Sequence, residues 1–186
     1  MKRKDHKALA YYLMNCAEQG PLWKRTWHRR FFVWGCICPD YVPFTYLRGF
    51  RQSHAMLGHH ARYSGAYIQK KIRRLQRRGV KKRRDCFALG TLMHYLADSF
   101  TFPHTNGFSG TMREHRRYEK ELHERFEKQL FSVQMTERQT AFRGRLLTDH
   151  LQRIREEYER AGGGYEPDCE QILCSCAEVF LSLCEI

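Results

Sequence analysis

Apolar residues recur along this chain at intervals of three and four, the spacing that lines one face of an α-helix. Ala8, Leu9, Tyr12, Leu13 and Cys16 set the pattern first and predict a helix over 4–18, which Gly20-Pro21 stops. Residues 22–34 are aromatic and basic (Trp23, Trp27, Phe31, Phe32, Trp34) and predict a short helix. From Gly35 to Phe50, Pro39, Pro43 and Gly49 predict a long irregular connection, the kind of loop that carries function in compact folds. Further helices are expected over 53–78, 84–100, 111–131, 136–160 and 167–185. Phe102-Pro103 closes the second of these and Gly162-Gly163-Gly164 closes the fourth. No segment alternates as a strand would. The expected fold is all-α, a helical bundle formed by one domain over 1–186, with a polar site buried between helices.

One helix departs from the amphipathic pattern. Leu92, Met93, Tyr95, Leu96 and Phe100 surround His94 and Asp98, so the helix over 84–100 is apolar on nearly all sides and belongs in the core. An imidazole and a carboxylate four positions apart share one face. On a surface helix such a pair is commonly just an ion pair. Inside a core both groups need a strong partner, and a metal ion is one. His104 follows in Phe102-Pro103-His104, and His115-Arg-Arg-Tyr-Glu119 repeats the four-residue spacing in the next helix. Imidazole and carboxylate suit Zn²⁺. Two such pairs predict more than one ion, and clustered metals are a common means of hydrolysing phosphate esters.

Charge adds a second theme. The net charge is +13, and ten of the fifteen residues from Lys70 to Arg84 are Lys or Arg. This favours anionic partners, either a phosphate-rich membrane surface or, second, nucleic acid. Few aromatic residues interleave there, which argues against base stacking by this segment. At 186 residues with 13% aromatics and 42% hydrophobics the chain has enough material for a core. No apolar run reaches the length of a membrane span, and the N-terminus does not read as a signal peptide. A cytoplasmic location is therefore expected, possible contact with a membrane being peripheral. The eight cysteines are expected as reduced, packed thiols. Cys36-Ile-Cys38 and Cys174-Ser-Cys176 lack the two-residue spacing of most structural zinc sites.

Read in chain order, His6, Asp40, His54, His94, Asp98, His104, His115 and Glu119 resemble the ligand series of the zinc-dependent phospholipase C family. The likeness spans roughly residues 4–125. It is strongest in Leu89-Gly-Thr-Leu-Met-His94-Tyr-Leu-Ala-Asp98 and in His115-Arg-Arg-Tyr-Glu119. The single-strand-specific zinc nucleases share that fold and ligand order. The resemblance implies a first zinc on Asp40, His54, His94 and Asp98, and a second on His104, His115 and Glu119. It gives a third to His6, a bridging Asp98 and the N-terminal residue, which is Met1 here and a Trp exposed by signal cleavage in the family. Two to three zinc ions are thus expected, with Asp98 bridging and Asp40 a candidate base. The implied reaction releases diacylglycerol and a phosphorylated head group from a phospholipid. The alternatives are a single-strand nuclease or nucleotidase, and a metal-stabilised domain that binds anionic surfaces without turnover. His59, His60 and the pair His123/Glu127 compete as ligands, whereas His28 and His150 read as packing or surface residues.

Overall fold

The computed structural model describes residues 1–17, 20–41, 61–132 and 145–184. They form seven α-helices, α1 (Arg3–Cys16), α2 (Thr26–Ile37), α3 (Ala61–Arg78), α4 (Arg83–Ser99), α5 (Met112–Ser132), α6 (Arg145–Ala161) and α7 (Tyr165–Cys184). Single 3₁₀ turns at Cys38–Asp40 and Phe102–His104 follow α2 and α4. The described residues contain no strand. The protein is all-α, as the periodicity requires, and His54 lies outside the described residues.

Helix α4 is the axis of the molecule. Every residue from 89 to 100 is buried, and α4 packs on α1, α2, α3 and α7. The core it organises draws on all seven helices, down to Leu122 and Phe126 of α5, Leu147 and Leu151 of α6, and Ile172 and Phe180 of α7. At one end Trp23, Phe32 and Phe180 pack with their ring centroids 5.2 Å apart. The aromatic segment thus divides. Trp23 and Phe32 are core residues, while Trp27 and Trp34 on α2 are exposed.

The irregular connection expected over 35–50 is helical in its first part, and residues 42–50 lie outside the described residues. Helix α2 runs through Gly35 to Ile37 because Gly35 is its contact point with α4. A Cβ on Gly35 would lie 2.3 Å from the Phe87 carbonyl oxygen, and one on Gly90 would lie 2.2 Å from that of Phe32. Two glycines facing each other let the two backbones touch, an approach that any side chain would prevent.

All eight cysteines are free thiols, and Cys36, Cys86, Cys169 and Cys176 are buried in the core. Among the described residues no helix is long and apolar enough to cross a membrane.

Candidate metal centre

Five separate pieces of chain deliver polar side chains to one place. His94 and Asp98 project from α4 itself, 0% and 2% exposed. His6 comes from the first turns of α1, and Asp40 from the 3₁₀ turn after α2. His104 sits in the turn after α4, and His115 and Glu119 lie one turn apart on α5. Helix α5 starts on a capping box. The Glu114 N–H donates to Thr111 Oγ1 (3.3 Å), and Glu114 Oε2 accepts the Thr111 N–H (2.6 Å), which fixes the helix one residue before His115.

Asp98 is the hub. Its Oδ1 lies 3.3 Å from His6 Nε2 and accepts a hydrogen bond from the Met1 amino group at 2.9 Å. Its Oδ2 lies 3.3 Å from His94 Nε2, which is 3.8 Å from Asp40 Oδ1. The Met1 amino group also donates to Glu119 Oε1 at 3.0 Å. That oxygen is 3.2 Å from His115 Nε2 and 3.6 Å from His104 Nε2. The eight described residues picked out in the sequence (Met1, His6, Asp40, His94, Asp98, His104, His115 and Glu119) therefore form one continuous cluster. Two groups within it, His6/His94/Asp98 and His104/His115/Glu119, each hold their ligand atoms within 4.8 Å of one another.

The charges are arranged to keep the carboxylates ionised. Burial pushes the Asp98 carboxyl up, but the Met1 ammonium and the imidazoles of His94 and His6 outweigh it and hold the group well below its usual range. Glu119 behaves the same way, with burial opposed by the Met1 ammonium and by His104 and His115. The Met1 ammonium would lose its proton more easily for being buried, yet Asp98 and Glu119 raise it from 8.0 to about 11. Burial lowers His104 into its neutral form. Ionised carboxylates beside neutral imidazole are the donors that Zn²⁺ takes.

His6 provides the test of fit. Its ring is 1% exposed, stacks on His94 at 4.0 Å, and makes no hydrogen bond from either nitrogen. A buried imidazole in that condition is costly unless a cation occupies its lone pair. The donor set and the orphaned ring both suit zinc. For His94 the supporting shell is explicit. The Nδ1–H donates to the Cys36 carbonyl at 2.8 Å, which fixes the tautomer and turns the Nε2 lone pair toward Asp98 and Asp40. This bond spans α2 to α4 one turn beyond the Gly35–Gly90 contact.

The competing histidines have other work. His123 Nδ1 bonds Asp5 Oδ1 and its Nε2 lies 3.8 Å from Glu127, while Asp5 Oδ2 accepts the Lys2 N–H at 3.0 Å. His28 bonds the Leu22 carbonyl at 3.1 Å, and His150 pairs with Glu178 at 3.1 Å. His59 and His60 lie outside the described residues.

Sequence reasoning passed over Asp168. Fully buried on α7, it accepts four hydrogen bonds, from Tyr158 Oη (2.6 Å) and the Gly164 N–H (3.0 Å) on Oδ1, and from the Phe102 N–H (2.8 Å) and Tyr118 Oη (2.9 Å) on Oδ2. Phe102 opens the turn that carries His104, and Tyr118 precedes Glu119. Burial raises the Asp168 carboxyl while the four donors act the other way. In the sequence it is an acid in the first turn of a helix, a common and uninformative position.

Comparison with known proteins agrees with this geometry. Searches of curated proteins and of solved structures each return no match. The family model described as zinc dependent phospholipase C matches residues 5–160, from α1 through nearly all of α6. With most of its length matched and both histidine–carboxylate groups inside the match, the chain belongs to the zinc-dependent phospholipase C family of phospholipase-type hydrolases.

Proposed function

We propose that this protein is a zinc-dependent phosphodiesterase that cleaves a phospholipid to diacylglycerol and a phosphorylated head group. The observation that carries the reading is the division of Asp98, with one oxygen toward His6 and Met1 and the other toward His94. A carboxylate so placed is suited to bridge two cations.

In this reading His94, Asp98 and Asp40 hold one ion together with His54. His104, His115 and Glu119 hold a second, and His6, Asp98 and the Met1 amine hold a third. When bound, zinc would supply Lewis acidity at the phosphate oxygens and acidify a water for attack on phosphorus. The protein's own groups do the rest. Asp98 and Glu119 remain charged against burial, so the site keeps its ligands at neutral pH. His94 is locked in one tautomer by Cys36. Asp40, whose Oδ1 lies 3.8 Å from His94 Nε2, is the carboxylate assigned here as base.

The test is a paired assay on zinc-loaded protein, with mixed phospholipid vesicles in one arm and single-stranded RNA in the other, and His94→Ala as the blank. Diacylglycerol release that disappears in the blank supports the proposal. Nucleotide release instead assigns the protein to the nuclease reading, and silence in both arms refutes a general phosphodiesterase. Asp98→Asn adds a second check. It should abolish hydrolysis and remove more than one equivalent of zinc by elemental analysis, and full metal retention would refute the bridge.

A further inference from the structure

The basic segment does not simply coat the surface. Lys70, Lys71, Arg74 and Arg78 of α3 face Arg84 of α4 across a groove of about 690 Å³. Among the described residues its lining contains one carboxylate, Asp85, whose Oδ2 accepts the Lys82 N–H at 2.9 Å and whose Oδ1 lies 4.0 Å from Arg78 and 3.9 Å from Arg84, so it offsets the cations at that end of the groove and not Lys70 and Arg74. Lys70, Arg74 and Arg78 repeat every fourth residue, so like charges stand one turn apart, an arrangement that destabilises a helix by itself. Tyr67, Tyr95 and Phe87 add aromatic surface to its lining. Lys71 Nζ is pinned there, donating to Tyr67 Oη at 2.6 Å and to Thr91 Oγ1. Cations gathered along a concave surface suit a phosphate better than the same charges spread over a flat one.

Two features identify the occupant. Trp34, 53% exposed, packs on Phe87 of the groove at 5.1 Å, and Trp27, 55% exposed, stands two turns away on the same helix. Exposed indoles beside cations are what a lipid–water interface selects. The Trp27 ring already has the guanidinium groups of Arg30 and Arg83 over it, at 5.3 and 5.7 Å, so it is not presented for base stacking. The groove also borders the metal centre, for its lining residues Pro39 and Tyr95 adjoin Asp40 and His94 in the chain.

We propose that the α3–α4 groove binds the phosphate head group of an anionic lipid neighbouring the substrate, with Trp27 and Trp34 set in the interface beside it. The inference rests on the phospholipase reading for its orientation toward a membrane. Its test needs no turnover. Zinc-loaded protein is sedimented with phosphatidylcholine vesicles with and without a minor fraction of phosphatidic acid, a phosphomonoester and so not a substrate for a phosphodiesterase.

Phosphatidic acid should tighten binding. The Lys70→Gln/Arg74→Gln variant should lose about thirtyfold, the factor expected for two cations at an anionic surface. Arg153→Gln/Arg160→Gln, the same charge change on exposed positions of α6, should lose less than about twofold. Trp27→Ala/Trp34→Ala should also weaken vesicle binding. Equal losses in both charge variants would reduce the groove to bulk electrostatics and overturn the proposal. So would wild-type protein that ignores phosphatidic acid, or a groove-dependent affinity for single-stranded RNA without one for vesicles. A protein that binds in this way yet hydrolyses nothing would fail the functional reading while sustaining this one.

Discussion

Replacing Gly90 by alanine tests how the fold builds the centre, because the residue touches no ligand and yet should control one. The new Cβ would lie 2.2 Å from the Phe32 carbonyl oxygen and 2.8 Å from the Cys36 nitrogen, where ordinary contact begins near 3.4 Å. Both obstacles are backbone, so α2 itself must withdraw by about 1 Å. That movement takes the Cys36 carbonyl from 2.8 Å beyond hydrogen-bonding distance of His94 Nδ1. Overpacking of this kind costs about 1–3 kcal/mol, against which alanine returns about 1 kcal/mol of helix propensity. Loss of an outer-shell partner lowers metal affinity by about 10- to 100-fold.

Gly65→Ala on α3 is the control. It gains the same propensity, and among the described residues its Cβ meets only the Arg155 guanidinium tip, which can swing aside. Zinc affinity from competition with a chromophoric chelator, and urea midpoints measured with the metal removed, should separate the two. Gly90→Ala should be less stable than wild type and bind zinc at least about tenfold more weakly, while Gly65→Ala should match or exceed wild type. Wild-type zinc affinity in Gly90→Ala would refute the proposed link from helix contact to ligand tautomer.

Three further outcomes follow from the same geometry. His123→Ala should keep its full zinc content but lose about 1–3 kcal/mol in urea unfolding, since buried Asp5 is left short of a partner, and loss of metal would make His123 a ligand. In chelator, stability should fall on both sides of neutrality. The Met1 amine, raised from 8.0 to about 11, contributes fully below pH 8 and loses that contribution as pH rises through 11. Asp98 and Glu119, held below their ordinary values, contribute above those values and lose it as pH falls toward their folded pKa. Urea midpoints at pH 4, 7 and 10 that do not peak at 7 would contradict this. Asp168→Asn offers one acceptor oxygen where two are used, so a partly buried N–H of Phe102 or Gly164 goes unpaired, and zinc titration should show one weakened site beside others of wild-type affinity.

The parts of the centre carried by single helices were legible in the chain. His94 with Asp98 and His115 with Glu119 announce themselves because four-residue spacing is itself a statement about one helix face. Burial of α4 was equally plain from its apolar surround. His6 and Asp40 have no such local mark, since each stands alone in its segment, and only the order of the whole series pointed to them. The outer shell was illegible for a physical reason. The acceptor for His94 is a main-chain carbonyl, a group every residue has, and what aims it is a pair of glycines 55 positions apart. Gly35 next to prolines looked like the start of a loop, because a glycine that serves close packing and one that serves a turn are the same letter. Asp168 was hidden by the commonness of acids in first turns.

The span of the cluster along the chain has a thermodynamic consequence. The contacts meeting at Asp98 and Glu119 join positions separated by 97 and 118 residues, in a chain whose cysteines form no bridges. A covalent cross-link closing a loop of about 100 residues is worth about 4–5 kcal/mol in the chain-entropy model. Zinc held jointly by α1 and α4 would act as such a cross-link, one that a chelator can open and a change in zinc supply can tune. The reactive centre and the structural clasp of this protein would then be the same atoms, so that starving it of metal loosens the fold and silences the site in a single event.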